Sequence, residues 1–203
     1  MLDQNEIDRE IHAGLTETQH TAFALYDQGL NVFPQPYKKK GGYPWQRLQY
    51  IRLNRDHEAY GLKTLFAGRC NLAIMCGQTS DNLFVIDCET PQAFAYHRQQ
   101  IQQRNIPLWA VKTGRGGHIY LKSIRGEVHS IESGQIADTE IKGRRGYVLG
   151  ASSRHPNGSA YHWVSQQGEQ IPRVDPNQID WLQDIDGCAI NLNWDATRPR
   201  KRS

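Results

Sequence analysis

Apolar residues in the first third of the chain recur at three- and four-residue intervals, while from Asn71 onward they gather in short runs with strand-like alternation. Over 18–29, Ala22, Leu25 and Tyr26 form a helical stripe and Gly29 supplies a stop before a short strand at 30–33. Pro34, Pro36, Gly41, Gly42 and Pro44 mark a loop that holds Lys38, Lys39 and Lys40. A second amphipathic helix is expected over 56–66. Strands are then expected at 71–75, 83–89, 108–112, 118–121, 137–142, 147–149 and 160–164. Between the second and third of these, 91–104 reads as a helix with Thr90 as its cap and Pro91 in its first turn. Residues 175–184 read as a further helix and 198–202 as a disordered basic tail. Strands joined mainly by turns, with few helices, predict an α+β fold with an antiparallel sheet.

With 203 residues, 38% of them hydrophobic and 22% charged, the chain has the composition of an ordinary globular protein with room for one full core. No apolar run approaches the ~20 residues that cross a bilayer, and Met1 to Glu6 lacks the basic start and apolar middle of a signal peptide. A cytoplasmic protein without a membrane partner is expected. Cys70, Cys76, Cys88 and Cys188 form no C-x-x-C pair and lie mostly in apolar surroundings. They read as reduced, buried thiols rather than a zinc site or a disulfide framework.

The net charge of +3 hides an uneven distribution. Residues 1–37 carry six acids against Arg9, whereas 38–69 carry Lys38, Lys39, Lys40, Arg47, Arg52, Arg55, Lys63 and Arg69 against Asp56 and Glu58. Lys112, Arg115, Lys122, Arg125, Lys142, Arg144, Arg145 and Arg154 form a second basic cluster. Such clustering suits a polyanion-binding surface.

Phe84-Val85-Ile86-Asp87-Cys88-Glu89 reads as an apolar strand ending in two acids. Alternation puts Asp87 and Glu89 on one face and Ile86 and Cys88 on the other. Paired carboxylates repel unless a cation lies between them, and divalent ions take such oxygen ligands in phosphoryl transfer. In Thr113-Gly114-Arg115-Gly116-Gly117-His118-Ile119-Tyr120-Leu121 the glycines make a tight turn that brings backbone N–H groups and His118 close to a ligand. Thr139-Glu140-Ile141-Lys142-Gly143 places an acid and a base on one side of a third strand. Singly these are weak: D-x-E is commonly a salt-bridged edge, E-x-K is common by chance, and the glycine turn lacks the Walker pattern. Together they read as a two-metal polymerising site. Asp87, Glu89 and Glu140 would bind the ions, His118 would donate to a phosphate oxygen beside Arg115 and Gly117, and Lys142, Arg144 or Arg145 would offset the remaining charge.

In order and context these motifs resemble the N-terminal catalytic domain of bifunctional DNA primase/polymerases, the Prim-Pol branch of the archaeo-eukaryotic primase superfamily. That family has an apolar strand ending in D-x-D/E, a Gly-rich small-x-His motif and a strand with a third acid, matched by Asp87/Glu89, His118 and Glu140. Pro44-Trp45, the 71–77 segment, Gly146-Tyr147-Val148, His155, Gly158, Tyr161 and Trp163 extend the resemblance over about 20–165. It implies an N-terminal α/β unit packed on an RRM-like catalytic unit, with the site between them. The implied divisions are an extension at 1–17, a catalytic domain at 18–190 and a basic tail at 191–203. Within that domain, 18–70 is the α/β part, 71–165 the motif-bearing sheet and 166–190 a closing segment.

The resemblance also implies synthesis or extension of primers on a DNA template from ribo- or deoxyribonucleoside triphosphates with two Mg²⁺ or Mn²⁺ ions. Asp87, Glu89 and Glu140 would be the metal-binding catalytic acids, with His118 and Lys142 contacting the nucleotide. Lys38, Lys39, Lys40, Trp45 and Arg47 would contact DNA. The family tends toward a proline-serine turn after Tyr147, and this chain departs from it with Gly150-Ala151-Ser152-Ser153, so a phosphate contact there would fall to Ser152 or Ser153, of which Ser152 is taken as the candidate. Many relatives also carry a helical primase C-terminal module or a helicase domain, and such a domain is an expected partner whether the 203 residues are an excised domain or a stand-alone member. Two other readings remain open. Asp87 with Glu140-Ile141-Lys142 imitates the D…E-x-K pattern of metal-dependent nucleases, and the basic loop with Trp45 and Tyr50 would also suit a non-catalytic single-strand-binding module.

Overall fold

The computed structural model describes residues 15–37, 42–58, 61–182, 190, 192 and 194–195. Lys38, Lys39, Lys40, Cys188 and residues 196–203 of the basic tail lie outside these residues.

Helix α1 (Glu17–Asp27) opens at Thr16 with a reciprocal cap: the Gln19 N–H donates to the Thr16 hydroxyl at 3.2 Å, and the Thr16 N–H donates to the Gln19 side chain at 2.8 Å. Strand β1 (Val32–Pro36) runs beyond the expected 30–33 into two prolines. They are tolerated because β1 is an edge strand, paired only with β2 (Cys70–Met75). A 3-10 turn spans Trp45–Gln49. The helix expected over 56–66 contracts to one turn, α2 (Leu62–Leu65). The Asn54 side chain draws the Asp56 N–H into a local turn at 3.0 Å, and Gly61 is extended at φ −77°, ψ 170°, so the helix starts only after it.

The rest is mostly strand: β3 (Leu83–Cys88), α3 (Pro91–Gln103), β4 (Trp109–Lys112), β5 (Gly117–Ser123), β6 (Glu127–Val128), β7 (Ile131–Ile136), β8 (Thr139–Lys142), β9 (Tyr147–Leu149), β10 (His162–Gln166), β11 (Arg173–Val174) and β12 (Trp194–Asp195). Helix α3 has the predicted cap, with the Ala93 N–H donating to the Thr90 hydroxyl at 3.2 Å and Pro91 in its first turn. The strand expected at 137–142 starts at Thr139, because Asp138 turns the chain at φ 50° after β7, a strand the sequence did not announce. The helix expected at 175–184 is a 3-10 turn at Pro176–Gln178 capped by Asp175, followed by non-helical chain to 182 that buries Ile179, Trp181 and Leu182. Residues 183–184 lie outside the described set.

The fold is mixed α+β with mostly antiparallel pairing. A small sheet has the order β1-β2-β9, and a seven-stranded sheet has the order β10-β4-β5-β3-β8-β7 with β11 parallel to β5. A third pair joins β12 to β6. One face of the large sheet, with Phe84, Ile86, Cys88, Ile119, Leu121 and Ile141, packs against Phe94 and Ile101 of α3. The other face, with Leu83, Val85, Trp109, Val111 and Tyr120, shares a core with α1, α2 and Leu72, Ile74 and Val148 of the small sheet. Strand β9 is an edge of the small sheet, and its residues line a cleft together with the last residues of β3. Among the described residues no helix is long and apolar enough to cross a membrane, and Cys70, Cys76 and Cys88 are free thiols.

Candidate active site

Register assembles the site. Asp87 on β3 pairs across one side with His118 on β5 and across the other with Glu140 on β8, so residues far apart in sequence become cross-strand neighbours in one row. Directly opposed side chains in such a row have Cβ atoms roughly 5 Å apart. One step back along the strands, Val85 pairs with Tyr120 and Lys142 on the same face. Strand β3 is apolar up to Ile86 because it is central and covered on both faces. Asp87, half-buried near the end of the strand, faces the cleft.

The cleft has a volume of about 460 Å³. Asp87, Glu89, Glu140, His118, Lys142, Arg115 and Arg145 line it, as do Thr113, Gly114, His155 and Tyr161. His118 is 5% exposed; its Nε2 lies 3.2 Å from Asp87 Oδ1, and its Nδ1 is buried without a partner among the described residues. The ring is held between Tyr120 and Tyr161, with centroids 6.3 Å and 5.9 Å away. Burial alone would raise the Asp87 pKa, but the His118 charge and hydrogen bond, with Lys142 and Arg115 nearby, outweigh it and hold the carboxyl below its usual value. Lys142 Nζ bonds to Glu140 Oε2. Burial works to lower the Lys142 pKa, and Glu140 and Asp87 more than offset it, so the amine is held above its ordinary value. Burial pushes the Tyr161 hydroxyl and the Cys76 and Cys88 thiols up, so these groups stay protonated.

Glu89 lies one residue past the end of β3, so strand alternation no longer fixes its direction, and its N–H donates to the Asp138 carbonyl at 2.8 Å. Among the described residues no three Asp, Glu, His or Cys side chains form a ready-made metal cluster. The three acids expected to cage two ions thus share a cleft without forming a cage. Asp87 and Glu140 are each matched by a basic side chain. Their oxygen donors suit a hard divalent ion that takes one or two carboxylates from the protein and the rest of its shell from water and phosphate.

Other expected site residues are placed differently. Arg115 is exposed at the cleft. Gly117 faces the opposite side of the sheet: a Cβ there would meet the Phe94 ring at 2.5 Å, so its lack of a side chain serves packing against α3. Gly116 is where the turn needs glycine, since an added Cβ would lie 1.9 Å from the Cys88 carbonyl. Ser152, left-handed at φ 68°, is not in the cleft wall, and its buried hydroxyl has no partner among the described residues. Trp45 lines the cleft, whereas Arg47, on the same 3-10 turn, is exposed outside it. Gln35 and Asn71 line the cleft without having been singled out as site residues. The available signal for Gln35 was its place opposite Pro34 and Pro36 in the strand alternation, which aligns it with the inward-facing Phe33.

Residues 22–179, well over half of the 203-residue chain, match the family described as bifunctional DNA primase/polymerase, N-terminal. No curated protein matches the chain. The chain belongs to that family, which points to DNA primase/polymerase-like nucleotidyltransferase activity with DNA and nucleotides as substrates.

Proposed function

We propose that this member of the bifunctional DNA primase/polymerase family joins nucleoside triphosphates into primers, or extends them, on a DNA template at the Asp87–His118–Glu140 row. The observation that carries the reading is that row, which aligns two acids and a histidine on three neighbouring strands at a cleft also lined by Lys142, Arg115 and Arg145. In this reading the large sheet is the RRM-like catalytic unit and the small sheet with α1 and α2 is the N-terminal unit.

Asp87 stays ionised to low pH and, with Glu140 and with Glu89 nearby, would hold divalent Mg²⁺ or Mn²⁺. Such ions lower the pKa of an attacking 3′-hydroxyl and neutralise charge on the triphosphate. His118 keeps Asp87 in place and offers a donor to a phosphate oxygen that arrives beside it. Lys142, tied to Glu140 before substrate binds, turns to the phosphates together with Arg115 and Arg145. Arg47 and the lysine run at 38–40 contact the template.

The test is incubation of the protein with a single-stranded template, labelled nucleotides and Mn²⁺, with and without a primer, beside the Asp87→Ala/Glu89→Ala double variant. Labelled product from the wild type alone is expected, and its absence under both conditions sinks the proposal. The grouping of Asp87, Glu140 and Lys142 also has the donor set of a metal-dependent nuclease. Shortening of the template in the same assay identifies that reading.

A further inference from the structure

Gln35 on β1 sits directly across from Asn71 on β2, and the fold uses these two buried amides differently. Asn71 donates to the Arg154 carbonyl at 3.0 Å and accepts from the Arg154 N–H at 2.8 Å, so it is occupied in holding a loop. Gln35 is 2% exposed, and neither its Nε2 nor its Oε1 has a partner among the described residues, although the side chain lines the cleft. An unpaired buried donor and acceptor weaken a fold, and an apolar side chain of the same length would not incur that cost. The amide is therefore free to bind a ligand that brings one acceptor and one donor. Half-buried Trp45 and Tyr147 line the same cleft, with ring centroids 5.3 Å apart. Aromatic rings stack nucleobases of any identity. At about 460 Å³ the cleft falls in the range that takes whole small molecules, more than a phosphate chain needs.

We infer that Gln35, Trp45 and Tyr147 form a nucleobase subsite that favours adenine, for a nucleotide whose phosphates lie beside Asp87 and Lys142. This rests on the proposed nucleotide-binding role of the cleft. Gln35 Nε2 donates to adenine N7 while the adenine N6 amino group donates to Gln35 Oε1, leaving the base's pairing edge free for a template. Guanine presents two acceptors on that edge and pyrimidines have no N7, so neither satisfies both ends of the amide.

The test is equilibrium binding of ATP, GTP, CTP, UTP, dATP and 7-deaza-ATP to the whole chain with Mn²⁺ and no template. The wild type should bind ATP roughly ten-fold more tightly than GTP, and 7-deaza-ATP about as weakly as GTP. Gln35→Met, similar in length but without donor or acceptor, should bring the ATP/GTP ratio to about one while leaving the melting temperature unchanged or higher. Equal wild-type binding of ATP and GTP overturns the inference, as does a preference that survives Gln35→Met. A change in the ATP/dATP ratio alone assigns the amide to the sugar and also overturns it. If Gln35→Met fails to fold, the wild-type comparison with 7-deaza-ATP decides by itself. Adenine preference without nucleotide incorporation would sink the polymerase proposal and leave the subsite standing; incorporation without the preference would do the reverse.

Discussion

Of the two faces of the seven-stranded sheet, one packs Phe84, Ile86, Ile119, Leu121 and Ile141 around α3 with no accessible surface on any of them, and the other presents Asp87, His118, Glu140 and Lys142 to a cleft. The same strands supply both, because consecutive side chains point to opposite sides. The apolar face also enforces the polar one. A one-residue slip of β3 would carry Asp87 into the core beside Phe94, at a cost no surrounding group could offset, so burial of Ile86 and Ile141 fixes the register that aligns Asp87 with Glu140. Position is set on one side and chemistry is carried out on the other.

That division is tested by changing adjacent residues. Asp87→Asn, isosteric and still able to meet His118, should lower nucleotide incorporation by roughly a thousand-fold, about 4 kcal/mol of barrier, and move unfolding stability by less than about 1 kcal/mol. Ile86→Ala, one residue away and fully buried, should cost about 3 kcal/mol of stability in denaturant melts and leave incorporation per folded molecule nearly unchanged. If Asp87→Asn destabilised the protein as much as Ile86→Ala, or Ile86→Ala lowered incorporation as much as Asp87→Asn, the two faces would not be separate in the way described.

The two faces were also unequally legible in the sequence. Helix α3 was readable from Thr90, Pro91 and the spacing of Phe94 and Ile101, since its cap, its first turn and its buried stripe are all local signals. The strands around Asp87, His118 and Glu140 were legible for the same reason, and the motif order supplied the family now matched over 22–179. The helix expected at 56–66 failed because side-chain competition at Asn54 and the extended Gly61 override an apolar spacing that looks helical. Alternation groups Glu89 with Asp87 only if β3 continues, but the strand ends at Cys88, where the Glu89 N–H turns to the Asp138 carbonyl. Gln35 stayed hidden because the flanking Pro34 and Pro36 read as a loop, which masks the strand alternation that continues from Phe33. Its burial depends on pairing with a strand that begins at Cys70.

The apolar face holds one polar device whose failure with acid is measurable. His97 on α3 is buried; its Nδ1 accepts from the Trp181 indole N–H at 3.2 Å, which leaves the ring proton on Nε2, 3.0 Å from the Thr139 hydroxyl. Burial lowers its pKa from 6.5 to about 4. The folded value lies below the unfolded one, so the unfolded chain takes up this proton first. Above pH 6.5 the group has no effect on stability, and between pH 6.5 and about 4 stability falls as the pH falls, by roughly 3 kcal/mol in all. Chemical denaturation across that range should show about one proton's worth of slope, and His97→Gln should remove it. The Asp87 carboxyl, held below its ordinary 3.8, loses its contribution only at lower pH, so a slope confined to pH below 4 would contradict the assignment to His97.

The smallest expected effect lies at the charged row itself. Lys142 is bonded to Glu140, and its side chain is 30% exposed, so the pair contributes less than about 1 kcal/mol to stability and Lys142→Met should leave melting nearly unaltered. Its consequence should instead appear as two shifts of opposite sign. Without the ammonium, Glu140 has one less competitor for a divalent ion, so the Mn²⁺ concentration that gives half of the metal-induced rise in melting temperature should fall several-fold. The same variant lacks a cation for the triphosphate, so KM for nucleotide should rise several-fold. Were Lys142 only a surface ion-pair partner, neither midpoint would move, and were it needed to build the site, both would worsen together.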